Sequence, residues 1–184
     1  MRDERRKNKY AGVAQLVERN LAKVNVAGSK ILDFLSKHAI LTDLKSVKKE
    51  DVIKELVDAL IEGGDIDKHN RTKLIEALMA REALGSTAIG QGVAIPHAKC
   101  DCVTSLVAAF ALSKKGVDFD SLDGEPAYIF FLLVAPQDSA GPHLKALARI
   151  SRLLKDKYFR DSLLSCLDDK TVINIINQED EKKV

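Results

Sequence analysis

The 184-residue chain is notable first for what it lacks. It has no excess charge of either sign: 29 Lys and Arg face 27 Asp and Glu, a formal net charge of +2. That balance argues against a dedicated nucleic-acid binder, which carries a marked basic excess. No apolar run is long enough to span a bilayer, so no stable membrane insertion is expected. The basic start, Met1 to Lys7, has no apolar stretch behind it and is not a secretory signal. Cysteines number three, Cys100, Cys102 and Cys166, an odd count without framework spacing. Cys100-Asp101-Cys102 lacks a second pair at zinc-site spacing, so it reads as small residues entering a strand rather than a metal or redox site. The expectation is a reduced, cytoplasmic protein. What the chain does have is a core: 46% of its residues are hydrophobic.

Apolar periodicity locates the elements. Residues 31–44 read as a short helix followed by a short strand. Over 48–62, Val52, Ile53, Leu56, Val57, Leu60 and Ile61 form the stripe of an amphipathic helix. Gly63-Gly64 ends it. A second helix fits 70–83, capped by Asn70 and buried along Leu74, Ile75, Leu78 and Met79. From Gly85 the chain becomes rich in glycine and small residues, a loop feeding the strand Val93-Ala94-Ile95, which Pro96 stops. Residues 105–113 and 127–135 are continuous apolar runs at strand length, predicted to be covered on both faces. A helix follows at 142–155 with Pro142 in its first turn. Shorter helices fit 157–167 and 170–177, and the polar end is expected to fray. This alternation predicts an α/β fold: a three-layer α/β/α single domain with a central mixed β-sheet flanked by helices. It occupies 30–178, between a basic extension over 1–29 and a polar tail over 179–184.

The extension carries seven Lys and Arg against three Asp and Glu. One reading is a docking arm or nucleic-acid tether. A second fits better: AGVAQLVERNLAKVNVAGS resembles the translation of a transfer-RNA gene. Codons for Gly12 to Arg19 can spell a D-arm, and those for Ala27-Gly28-Ser29 the start of a T-arm. The match breaks at Ile31. The encoding DNA decides between the two.

Two of the four histidines follow proline, in Ile95-Pro96-His97 and Gly141-Pro142-His143. Proline restricts the backbone on both sides and so holds each imidazole. His97 ends an apolar strand and His143 falls in the first turn of a helix, the places where α/β folds gather ligands. His38 and His69 have no such setting and read as structural.

The stretch from Arg81 to Ala98, REALGSTAIGQGVAIPHA, resembles the active-site signature of the type-2 IIA domains of the phosphotransferase system, which include fructose/mannitol and nitrogen-regulatory IIA proteins. Ala135-Pro136 and Gly141 to Ile150 resemble that family's second histidine segment. The resemblance implies a phosphotransferase, a relay that carries phosphate on His97. His143 would support the phosphoryl group, and Arg81 would neutralise its charge. Ser86 and Thr87 match hydroxyl positions of the phosphate loop, and Gly90 and Gly92 would let backbone approach the anion. Gln91 stands where Asn is frequent and Ala98 where Gly is frequent. No metal and no cofactor are implied. The expected donor is an HPr-like phosphocarrier; the recipient is a IIB domain in sugar transport or a regulatory target protein. Leu84, Ile89 and Ala140 are the expected docking rim. A module that has lost phosphorylation is opposed by the presence of Arg81, His97 and His143 together.

Overall fold

In a computed structural model, which describes residues 30–182, the apolar run at Ala127–Ala135 is the central strand, β6. It has one long partner on one side and two short ones on the other. Strand β5, Val107–Val117, runs antiparallel to it, and β1, Leu35–Leu41, lies parallel to β5. On its other side β6 pairs in parallel with β3, Val93–Ala94, and then with β4, His97–Lys99. The hairpin strand β2, Ala88–Gly90, closes the sheet against β3.

Alternation along β5 and β6 sorts the core into two layers. Ala109, Ala111, Phe130, Leu132 and Val134 pack with helices α1, Lys49–Glu62, and α2, Arg71–Ala83. Phe110, Leu112, Ile129, Phe131 and Leu133 face α3, Ala140–Leu154, α4, Lys157–Leu164, and α5, Asp169–Lys182. Successive strand residues point to opposite faces, so a continuous apolar run requires helices on both. The three-layer mixed sheet expected from the sequence is what forms.

Several local expectations are corrected. Strand β5 continues through the polar Ser113-Lys114-Lys115-Gly116 because Val117 still pairs with Ala127 past a register shift. Asn70 precedes α2 but makes no side-chain cap, because a turn of 3-10 helix, Lys68–Asn70, already leads into it. The segment expected to fray is helical through Lys182. Its Asp180 is buried, receives Arg149 of α3 in an ion pair and accepts from the Ile31 N–H at 2.7 Å. Cys100 and Cys102 follow β4 rather than enter a strand, and their sulfurs are placed as a disulfide across Asp101. The extension over 1–29 lies outside the described residues. Among the described residues no helix is long and apolar enough to cross a membrane.

Candidate functional site

The strand before Pro96 does end there: β3 stops at Ala94. The Pro96 carbonyl accepts from Leu133 N–H at 2.9 Å, and pairing with β6 resumes at His97, which opens a strand instead of ending one. His97 and Lys99 therefore lie on one face of β4, while Ala98 between them enters the core beneath α1 and α2.

Both nitrogens of the His97 ring are engaged. Nδ1 lies 2.7 Å from the Ile95 carbonyl oxygen. A carbonyl only accepts, so Nδ1 carries the proton and Nε2 the lone pair. On that side Arg81, in the last turn of α2, donates its Nε–H to Nε2 at 3.2 Å. Its Nη1 donates to the Gly85 carbonyl at 3.0 Å. Burial, opposed by the Ile95 carbonyl and reinforced by the charges of Arg81 and His143, lowers the His97 pKa to about 4. The imidazole is thus neutral at physiological pH.

His143 comes from the first turn of α3, and its ring centroid is 5.6 Å from that of His97. It is 8% exposed, and its Nε2 is buried without a hydrogen-bond partner. A buried polar atom without a protein partner is uncommon and calls for an explanation. Burial, then the charges of Lys99 and Arg81, lower its pKa too. Two neutral imidazoles and the Arg81 guanidinium thus converge, with the Lys99 ammonium near enough to act on His143.

The other residues expected to touch phosphate have these partners within and around the loop. Ser86 Oγ donates to the Phe119 carbonyl at 2.6 Å and accepts from Ala88 N–H. Thr87 is buried, and its hydroxyl donates to Glu82 at 2.5 Å. Gly90 and Gly92 have φ of +92° and +76° and build the turn of the β2–β3 hairpin. A side chain at Gly90 would meet Asp123 at 3.0 Å, and one at Gly92 would meet Tyr128 at 3.4 Å. These contacts and turns shape and brace the loop that leads to His97.

Glu82, Ile95 and Lys99 were not visible as site residues in the sequence. Glu82 did leave a signal. It is a carboxylate in the last turn of a helix, where the helix dipole disfavours negative charge. Leu84 is 84% exposed and Ile89 44%, and Ala140 is exposed too.

A mixed α/β sheet that brings two imidazoles and a guanidinium to one strand belongs to the class of α/β domains suited to handling a small anionic group. The family model described as phosphoenolpyruvate-dependent sugar phosphotransferase system, EIIA 2, matches residues 33–179, and the chain belongs to that family. It is 42% identical over 152 residues to the "PTS system fructose-specific EIIABC component" of Bacillus subtilis, covering 83% of this chain but only 24% of that protein. It is 37% identical over 146 residues to a "Nitrogen regulatory protein" of Bradyrhizobium diazoefficiens, covering 79% of this chain and 94% of that one. Among solved structures, the nitrogen regulatory protein IIA-Ntr from Neisseria meningitidis superposes with a TM-score of 0.72 at 32% identity, over 78% of this chain and 97% of that one.

Proposed function

We propose that this chain is a phosphotransferase relay component that accepts a phosphoryl group on Nε2 of His97 from an HPr-like phosphocarrier and passes it to a IIB domain. The observation that carries the reading is the approach of two imidazoles, with ring centroids 5.6 Å apart. His97 Nε2 holds its lone pair towards Arg81, and the neighbouring ring of His143 has a buried Nε2 with no partner among the described residues.

The chemistry follows from these positions. The neutral imidazole is a nucleophile across the physiological range because its pKa is about 4. As the donor's phosphohistidine approaches, the Arg81 N–H groups turn from Nε2 to the phosphoryl oxygens, freeing the lone pair. The new bond forms between Nε2 and phosphorus, and the donor's N–P bond breaks with its electron pair returning to the donor ring. The His97 ring gains positive character, which the Ile95 carbonyl at Nδ1–H stabilises. Charge spread over the phosphoryl oxygens meets Arg81 and a proton on His143. The exposed Leu84, Ile89 and Ala140 form the rim on which partners dock. The relay works in the cytoplasm.

A second reading has its own support, the match over 94% of a nitrogen regulatory protein. There the same phosphohistidine is a signal, and target proteins bind according to its state. One assay addresses both. The protein is incubated with phosphoenolpyruvate, enzyme I and HPr, and acid-labile phosphate is measured. Wild type should label and His97→Ala should not; an unlabelled wild type, or a labelled His97→Ala, would falsify the phosphoryl-acceptor reading. Adding a fructose-type IIB domain separates transport, in which label moves on, from signalling, in which it stays.

A further inference from the structure

Glu82 is the buried carboxylate next to the catalytic group that the relay chemistry does not use. It is 6% exposed, and its oxygens are taken by four contacts. The Thr87 N–H lies 3.1 Å from each oxygen and the Thr87 hydroxyl 2.5 Å from Oε2. Lys49 Nζ, from the first residue of α1, lies 2.9 Å from Oε1. Lys49 itself bridges to Asp120 at 2.7 Å and sits 5.0 Å over the Phe119 ring.

Two paths lead from this carboxylate to the His97 ring, one to each nitrogen. Along the first, Glu82 ties Thr87 back onto the end of α2 and so fixes the Gly85–Thr87 turn. The Gly85 carbonyl then holds Arg81 Nη1 while Arg81 Nε faces His97 Nε2. Along the second, the Thr87 carbonyl accepts from Ile95 N–H at 3.0 Å, and the Ile95 carbonyl accepts from His97 Nδ1. Thr87 is the shared joint, and Glu82 is the group that pins it. A loop of this length can be held by backbone bonds alone. A charge buried at the unfavourable end of a helix is costly unless it is paired, and Lys49 with the two Thr87 donors supplies that pairing here.

We propose that Glu82 is a positioning residue for phosphoryl transfer. Acting through Thr87 and with its charge held by Lys49, it sets both the tautomer of His97 and the aim of Arg81. The proposal rests on His97 being the phosphoryl acceptor.

The test uses the full chain with phosphoenolpyruvate, enzyme I and HPr, and reads kcat and the KM for HPr. A second readout needs no phosphorylation: the Nδ1–H of His97 in ¹⁵N NMR of the free protein. Glu82→Gln and Thr87→Val should lower kcat on the order of tenfold to a hundredfold, the size expected for misplaced reacting groups. KM for HPr should stay within about threefold, because the exposed rim is untouched. The Nδ1–H signal should broaden or vanish in both variants. Thr87→Ser, which keeps the hydroxyl, should restore both rate and signal. If Glu82→Gln does not fold, Thr87→Val and Lys49→Met carry the same comparison. Folded variants with wild-type kcat, a loss confined to KM, or an unchanged Nδ1–H signal would overturn the proposal. A wild type that shows the Nδ1–H signal and responds to Glu82→Gln, yet takes no phosphate, would overturn the acceptor reading and leave the positioning chain standing.

Discussion

Arg81 spans 3.2 Å to His97 Nε2 with one nitrogen and 3.0 Å to the Gly85 carbonyl with another. A single side chain therefore aims at the nucleophilic atom and is itself aimed by the loop. Lysine has the charge but not the fork. Arg81→Lys is expected to fold normally and to accept phosphate on the order of a hundredfold more slowly, the cost of losing one preorganised donor. Labelling time courses check this, and a rate near wild type would remove Arg81 from the chemistry.

His143 offers a cleaner separation of stability from activity. Its Nε2 has no partner to lose, so replacing it with an apolar side chain sacrifices no hydrogen bond there. His143→Leu should be neutral, or more stable by up to about 1 kcal/mol, since it relieves an unsatisfied buried atom. Phosphoryl acceptance should nonetheless fall on the order of tenfold or more. Urea unfolding and labelling on the same preparation test the pair of outcomes, and a destabilised but fully active variant would contradict it.

The low pKa of His97 makes a pH prediction with a definite sign. The folded protein holds the ring neutral down to about 4, whereas a free histidine protonates near 6.5. Between those values the unfolded chain binds more protons, so stability present above 6.5 is lost as pH falls towards 4 and levels off below. The full effect is roughly 3 kcal/mol. The lowered pKa of His143 adds in the same direction. Urea unfolding at several pH values should show a shallower acid loss in His97→Gln than in wild type. Parallel curves would mean that the ring is not held neutral.

Asp180 should matter far more than its place in a polar tail suggests. It is 1% exposed and paired with Arg149. Asp180→Ala leaves a buried guanidinium uncompensated and should cost about 3–5 kcal/mol. Thermal unfolding measures this. A loss below about 1 kcal/mol would show that the pair is solvated in solution.

The legibility of the sequence followed burial. Ala127–Ala135 has the bounds its apolar run gives, and Lys49–Glu62 falls within one residue of its stripe. The two proline-anchored histidines do meet. Polar residues with buried roles were opaque. Glu82 and Asp180 look like solvated helix charges because their donors, Lys49 and Arg149, are distant in sequence. Ser86 and Thr87 matched a phosphate loop by type, and only their contacts with Phe119 and Glu82 show that they brace it. Spacing also missed the short strand β4 after Pro96, because it is β6 that supplies pairing on both sides of the break.

The carboxylate of Asp180 takes Arg149 with one oxygen and the Ile31 N–H with the other. The first and last turns of the domain are therefore stitched together, by this carboxylate and by the ion pair of Lys30 with Glu181 beside it. A longer polypeptide would enter and leave there like two threads through one buttonhole. Because Arg149 and His143 share α3, the same knot anchors the helix that presents the second imidazole.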